Sequence, residues 1–117
     1  MKDNTILRKS LAFSVRIVNL HKYLSSQKKE YILSRQICKS GTSIGANITE
    51  AIYGSSRKDF AAKLQIAKKE AAETQYWLEL LRSGEYLTEQ EYKSLTKDCN
   101  EILSVLVSSI KTTLENP

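Results

Sequence analysis

Residues 40–60 read SGTSIGANITEAIYGSSRKDF, a stretch dense in glycine, serine, threonine and asparagine. Yet Ile44, Ile48 and Ile52 recur at every fourth position, the spacing of one helix face. With successive side chains turned by about 100°, Gln36, Ser40, Ser43, Asn47 and Glu50 form a polar row flanking that seam, and Gly41 and Gly45 sit one turn apart beside it. Glycine costs about 0.8–1.0 kcal/mol relative to alanine in a helix interior, so two of them argue for a backbone brought close. Ser40, Gly41, Ser43, Gly45, Asn47 and Glu50 are therefore read as a close-packing ridge. Small side chains admit another helix, and the polar row can hydrogen-bond across the contact once buried.

The same stretch carries a stop and a start. Gly54 suits the left-handed position that ends a helix, and Ser56 followed by Asp59 makes a capping box. Downstream, Gly84 ends a helix, and Thr88 with Glu91 forms a second box with Leu87 and Tyr92 as its hydrophobic staple. A third helix is expected over 57–83 and a fourth over 89–115. Phe60, Leu64, Ala67, Ala71, Thr74, Leu78 and Leu81 give the inward seam of the third, and Tyr92, Leu95, Cys99, Ile102, Leu106 and Ile110 that of the fourth. Upstream, the first helix, over 5–25, has two adjacent apolar rows: Leu7, Leu11, Val15 and Val18 beside Phe13, Ile17, Leu20 and Leu24. The second, over 29–53, turns Ile37, Gly41, Ile44, Ile48 and Ala51 or Ile52 inward. Short connections make each helix antiparallel to the last, an up-down-up-down four-helix bundle.

Totals agree with an all-α chain. Its 117 residues fit one domain, 1–117, and 41% hydrophobic with 26% charged residues is the balance of an ordinary globular protein. Four glycines and a single proline, at the very end, leave little to break helices. Cys38 and Cys99 form neither a disulfide framework nor a CxxC pair, and both read as small core hydrophobes. No long apolar run and no signal-peptide core within MKDNTILRKS are found, so a cytoplasmic protein without a membrane partner is expected.

The net charge of +5 conceals a division along the chain. Residues 1–69 hold 14 Lys+Arg against 4 Asp+Glu, whereas residues 70–117 hold 4 against 9. Such segregation favours a basic surface for an acidic partner, or head-to-tail contact between subunits. The third helix also has a second row, Ala62, Ile66, Glu70, Glu73, Trp77 and Leu80, turned about 100° from its core seam. A second stripe containing a tryptophan calls for another surface to cover it, as do the doubled rows of the first helix. Ile66, Glu70, Glu73, Trp77 and Leu80 are accordingly expected at a homo-oligomer interface.

Residues 43–81, SIGANITEAIYGSSRKDFAAKLQIAKKEAAETQYWLELL, closely resemble the four-helix-bundle proteins first noticed in intervening sequences of bacterial 23S ribosomal RNA genes. The shared pattern falls at Ser43-Ile44, Ala46-Asn47-Ile48 with Glu50, Ser56 with Asp59-Phe60, Lys69-Glu70-Ala71, Glu73-Thr74 and Tyr76-Trp77-Leu78. Thr49 departs from the usual alanine. The flanking helices agree over nearly the whole chain. The resemblance implies a homopentamer of antiparallel bundles arranged as a ring or barrel. It also implies kinship with the accessory variability determinant of diversity-generating retroelements, a basic pentamer that binds a reverse transcriptase and nucleic acid.

For function, the leading expectation is electrostatic binding of RNA or DNA by an oligomeric scaffold. Arg35 and Lys39 lie one turn apart on the outer face of the second helix, Arg57 and Lys58 start the third, and Lys63, Lys68 and Lys69 continue along it. A helix N-terminus offers free N–H groups to phosphate, although Asp59 competes for that field. No RNA-recognition motif or stacking platform is evident, so binding should be sequence-independent and salt-sensitive. The alternative is a protein-interaction or structural oligomer with no nucleic-acid role. Catalysis is disfavoured: His21 is the sole histidine, Glu70-x-x-Glu73 stands alone, and no phosphate loop, nucleophile pair, metal cluster or cofactor motif is present.

Overall fold

The structure, a computed structural model, describes residues 5–115. They form α1 (Thr5–Ser26), α2 (Ile32–Ile52), α3 (Arg57–Ser83) and α4 (Glu89–Glu115), with no strand among the described residues. Both later helices start where their caps lie. Ser56 is extended and its hydroxyl accepts the Asp59 N–H at 3.0 Å. At α4 the exchange is reciprocal: Thr88 Oγ1 accepts the Glu91 N–H at 3.1 Å, and Glu91 Oε1 accepts the Thr88 N–H at 2.8 Å. Leu87 is buried and Tyr92 packs against the core beside it.

Two local features differ from the sequence reading, while α3 stops at Gly84 as read. Helix α2 begins at Ile32 rather than 29, because Lys29 turns left-handed (φ 55°) and the Glu30 N–H bonds back to the Leu24 carbonyl at 2.9 Å. The Glu30 carboxylate then accepts the Ser34 N–H at 2.8 Å, placing negative charge at the positive end of α2. Gly54 is not left-handed, since no glycine has positive φ. A Cβ there would meet the Asp59 carboxylate, the movable end of its side chain, and would lie 3.1 Å from the Ala51 carbonyl oxygen. At the end of α3 the left-handed residue is Glu85 (φ 66°), one past Gly84. The Glu85 N–H reaches Arg82 O at 3.0 Å and the Tyr86 N–H reaches Leu81 O at 2.8 Å, a Schellman-type stop.

Contacts between helices run in opposite senses along each neighbouring pair. Gly41 and Gly45 of α2 face Ile17 and Ser10 of α1. Ser40 meets Thr74 of α3 and Glu50 meets Lys63. Gln75 and Glu79 of α3 reach Asn100 and Tyr92 of α4, while Lys9 and Arg16 of α1 reach Glu101 and Asp98. The four helices thus enclose one square core, of which the α1–α4 side is the sparsest. Ile17, Leu24, Ile37, Ile44, Ile48, Leu78, Leu81 and Leu106 are fully enclosed within it. Along α3 the seam begins at buried Ala61, with Phe60 only partly covered. One of the two rows of α1 is left outside: Leu11, Val15 and Val18 are 64%, 53% and 41% exposed.

The α1–α2 contact leaves no room for a side chain at Gly41. A Cβ at Gly41 would lie 2.9 Å from both Cγ atoms of Ile17, a β-branched side chain with little rotamer freedom. At Gly45 the nearest atoms are the Ser10 and Ser14 hydroxyls, at 3.3 Å. Gly41→Ala should therefore destabilise the chain by about 1–2 kcal/mol, as overpacking outweighs the gain in helix propensity. Gly45→Ala should be within about 1 kcal/mol of neutral. Urea unfolding followed by circular dichroism measures both, and equal effects would contradict the assigned contact.

Candidate functional site

The residues of the polar ridge divide among three surroundings. Gly41 and Gly45 are buried against α1, and Ser40 is buried against α3, its hydroxyl hydrogen-bonded to that of Thr74 at 2.9 Å. Ser43 and Asn47 turn to their own helix, bonding the carbonyls of Lys39 and Ser43 at 2.7 and 2.9 Å. Glu50 is exposed and pairs with Lys63 at 2.9 Å. That pairing raises the Lys63 pKa, first through the hydrogen bond and then through the charge of Glu50.

The remaining basic candidates fall into two groups. Arg35 and Lys39 lie near the start of α2, whereas Arg57 and Lys58 open α3 at the other end of the bundle, about 25 Å of helix away at 1.5 Å per residue. Lys68 and Lys69 lie between these ends on α3. Among the described residues none of these six forms a salt bridge.

Each group borders a groove. Arg35 and Lys39 line one of about 410 Å³ between α1 and α2, with His21, Ser25, Tyr31 and Cys38. His21 Nδ1 is buried there without a hydrogen-bond partner among the described residues. This groove joins residues from two helices, so reading each helix separately did not reveal it. Arg57 and Lys58 line a second groove, of about 470 Å³ and mostly apolar, with Ala61, Ala62 and Leu114.

On α3, Ile66 is 42% exposed, Glu73 is exposed, and Trp77, Leu80 and Glu70 are partly covered. Trp77 packs against the core through its body, while its Nε1 donates to Glu73 Oε2 at 2.9 Å. The Glu70 carboxyl is held above its ordinary value of 4.5 by partial burial, then by the neighbouring charge of Glu73, against the opposing pull of Lys39. On the opposite flank of α3, Arg82 clasps Glu79 and Glu89 and lies 4.5 Å from the centre of the Tyr92 ring. Arg82 and Tyr92 together lower the Glu79 carboxyl. Cys99 is enclosed, and burial pushes its thiol up to about 12, far from thiolate chemistry at neutral pH. Cys38 is half-buried and free. Among the described residues no helix is long and apolar enough to cross a membrane.

A family model described as 23S rRNA-intervening sequence protein matches residues 2–108, and the chain belongs to that family. A solved structure of a protein of unknown function from the S23 ribosomal protein family, from Bacteroides thetaiotaomicron, is 57% identical. The match has a TM-score of 0.92 and covers 95% of this chain and 99% of that one. Comparison with curated proteins gives no match.

The Glu70 environment yields a pH prediction with a defined sign. A carboxyl raised in the folded state binds its proton more tightly than in the unfolded chain, so its contribution to stability declines as pH rises from the ordinary value of 4.5 through the raised one. Titration of the Glu70 carboxyl by carbon NMR should place it above the usual glutamate range. Lys39→Met should move it higher and Glu73→Gln lower, and no response to either change would refute the assigned couplings.

Proposed function

We propose that this family member is a non-enzymatic, ring-like homo-oligomeric scaffold, a pentamer by the family resemblance, that binds RNA electrostatically. The observation carrying this reading is the division of charge. Arg35, Lys39, Arg57, Lys58, Lys68 and Lys69 have no salt-bridge partner among the described residues, while Glu79, Glu89, Asp98 and Glu101 of the later half are engaged in ion pairs. Cations without a salt-bridge partner among the described residues therefore stand on α2 and the first half of α3. Phosphate contacts release counterions and need no base-reading motif, which suits a surface of lysine and arginine without a stacking platform. Repeating two separated basic groups around a ring adds binding through avidity, by about 10²–10⁴ when several copies engage one RNA.

A second reading, a protein-interaction oligomer with no nucleic-acid role, draws on exposed Leu11, Val15 and Val18, an apolar row that RNA does not require. The two readings part on a salt series. Fluorescence anisotropy with a structured RNA should give binding at low salt that weakens steeply with added salt, by a logarithmic slope of about 0.7–0.9 per phosphate contact. Arg57→Glu combined with Lys58→Glu should reduce low-salt affinity at least about tenfold with unchanged helicity. Unchanged affinity in that variant would remove both residues from the site, and absence of binding by the native chain would favour the protein-interaction reading. Separately, Trp77→Ala should lower the solution mass measured by light scattering, and an unchanged mass would exclude the Trp77 row from the assembly contact.

A further inference from the structure

Tyr31, Arg35 and Lys39 follow one another at four-residue spacing where α2 begins, and His21 and Ser25 do the same near the end of α1. Residues so spaced share a helix face, and these two polar rows line one groove of about 410 Å³. That space exceeds a bare oxyanion and falls within the range of about 300–1,000 Å³ that holds small organic ligands. Its charge is of one sign. Arg35 and Lys39 are exposed cations with no salt bridge, and no carboxylate lines the groove among the described residues. Two neighbouring acids are placed otherwise: Glu30 accepts the Ser34 N–H at 2.8 Å, and Glu70, on α3, feels Lys39 but stands outside the groove. His21 adds a nitrogen, Nδ1, that is buried without a hydrogen-bond partner among the described residues. Native proteins pair nearly all such atoms, and this residue shares its groove with two cations and the Ser25 and Tyr31 hydroxyls.

We infer that this groove binds a phosphate monoester, its oxygens held by the Arg35 guanidinium and the Lys39 ammonium, with His21, Ser25 and Tyr31 as further donors. A phosphate inside a nucleic-acid strand carries a single negative charge and shares two of its oxygens with the strand. A monoester carries about −1.5 to −2 at neutral pH and presents three acceptor oxygens, so it gains more from paired cations and a guanidinium fork. As an end group, it also enters a recess that a continuing strand passes over. The remaining space takes the group that bears the phosphate, beside the half-exposed ring of Tyr31. Two sources share this chemistry, a free nucleotide and the phosphorylated end of an RNA. The pocket does not depend on the scaffold reading above, which uses internal phosphates spread over α2 and α3 and needs no recess.

His21 is the sole histidine, so its ring signals in proton–carbon NMR report on this groove alone. In a buffer of about 0.15 M salt, adenosine monophosphate should shift these signals and saturate below about 1 mM, while adenosine should leave them in place. Arg35→Met and Lys39→Met alter exposed side chains, so helicity should stay native while each raises the saturation midpoint at least about fivefold. Lys111→Met, on α4, should not change it. A second arm uses fluorescence anisotropy to compare one oligoribonucleotide ending in a phosphate with the same strand ending in a hydroxyl. A preference for the phosphorylated end that disappears in Arg35→Met assigns the site to an RNA terminus. Equal affinity for the two strands, beside a saturable nucleotide response, assigns it to a free nucleotide; either result supports the pocket. Equal shifts by adenosine and its monophosphate, a loss in Lys111→Met as large as in Arg35→Met, or the absence of both a nucleotide response and an end preference overturns it. Salt-sensitive binding of the hydroxyl-ended strand can survive that outcome, and then the scaffold reading stands while the pocket falls. A nucleotide response without any binding of the hydroxyl-ended strand does the reverse.

Discussion

Ile17 sits against the bare backbone of Gly41, and much of the molecule takes its orientation from that fit. A β-branched side chain with few rotamers against a residue with no side chain fixes both the distance between α1 and α2 and their register. With α2 so placed, Gly45 meets Ser10 and Ser14, Ile44 and Ile48 enter the core, and Ser40 is carried to the α3 side, where Thr74 satisfies its hydroxyl. The same rotation leaves Arg35 and Lys39 on the outside. Two properties of α2 thus share one cause: it packs tightly against α1 at Gly41, and its cations Arg35 and Lys39 point outward.

Local signals were well legible in the sequence. The Ser56 and Thr88 caps and the apolar period of α3 and α4 depend on residues three or four apart, and α3 and α4 occupy the spans read from them. Signals that depend on neighbours across space were not. Nothing near Lys29 announces a left-handed residue, and the Glu30 carboxylate that caps α2 lies outside the usual capping positions. Gly54 reads as a residue suited to a left-handed backbone angle, whereas its φ is not positive and the Asp59 side chain lies over it. Spacing along the helix places Phe60 in the seam, yet Ala61 is the buried residue and Phe60 is only partly covered.

The candidate site divides in the same way. A helical wheel identifies Arg35, Lys39, Arg57 and Lys58 as outward-facing, because that property belongs to one helix. It does not reveal that Glu50 reaches over to Lys63, or that His21 and Cys38 meet Arg35 across a groove, since those depend on which helix lies alongside. The ridge reading mixed the two kinds of information. Ser43 and Asn47 are small or polar for the sake of their own backbone carbonyls, and only Ser40, Gly41 and Gly45 are so for a neighbouring helix.

The side where α1 meets α4 is the sparsest, and it is bridged by Lys9 with Glu101 and Arg16 with Asp98, at 3.2 and 2.6 Å. These pairs are part-exposed, and such pairs contribute about 0–1 kcal/mol each and weaken with salt. The partners are also the most distant in the chain, so joining them carries the largest loop-closure entropy of any side. The bundle is therefore held like a book bound along α2 and α3, with a clasp made of ions. That clasp is weak and loosens with salt, and the burial of Phe13, Ile17, Leu24, Ile102 and Leu106 in the common core is what keeps the first and last pages shut.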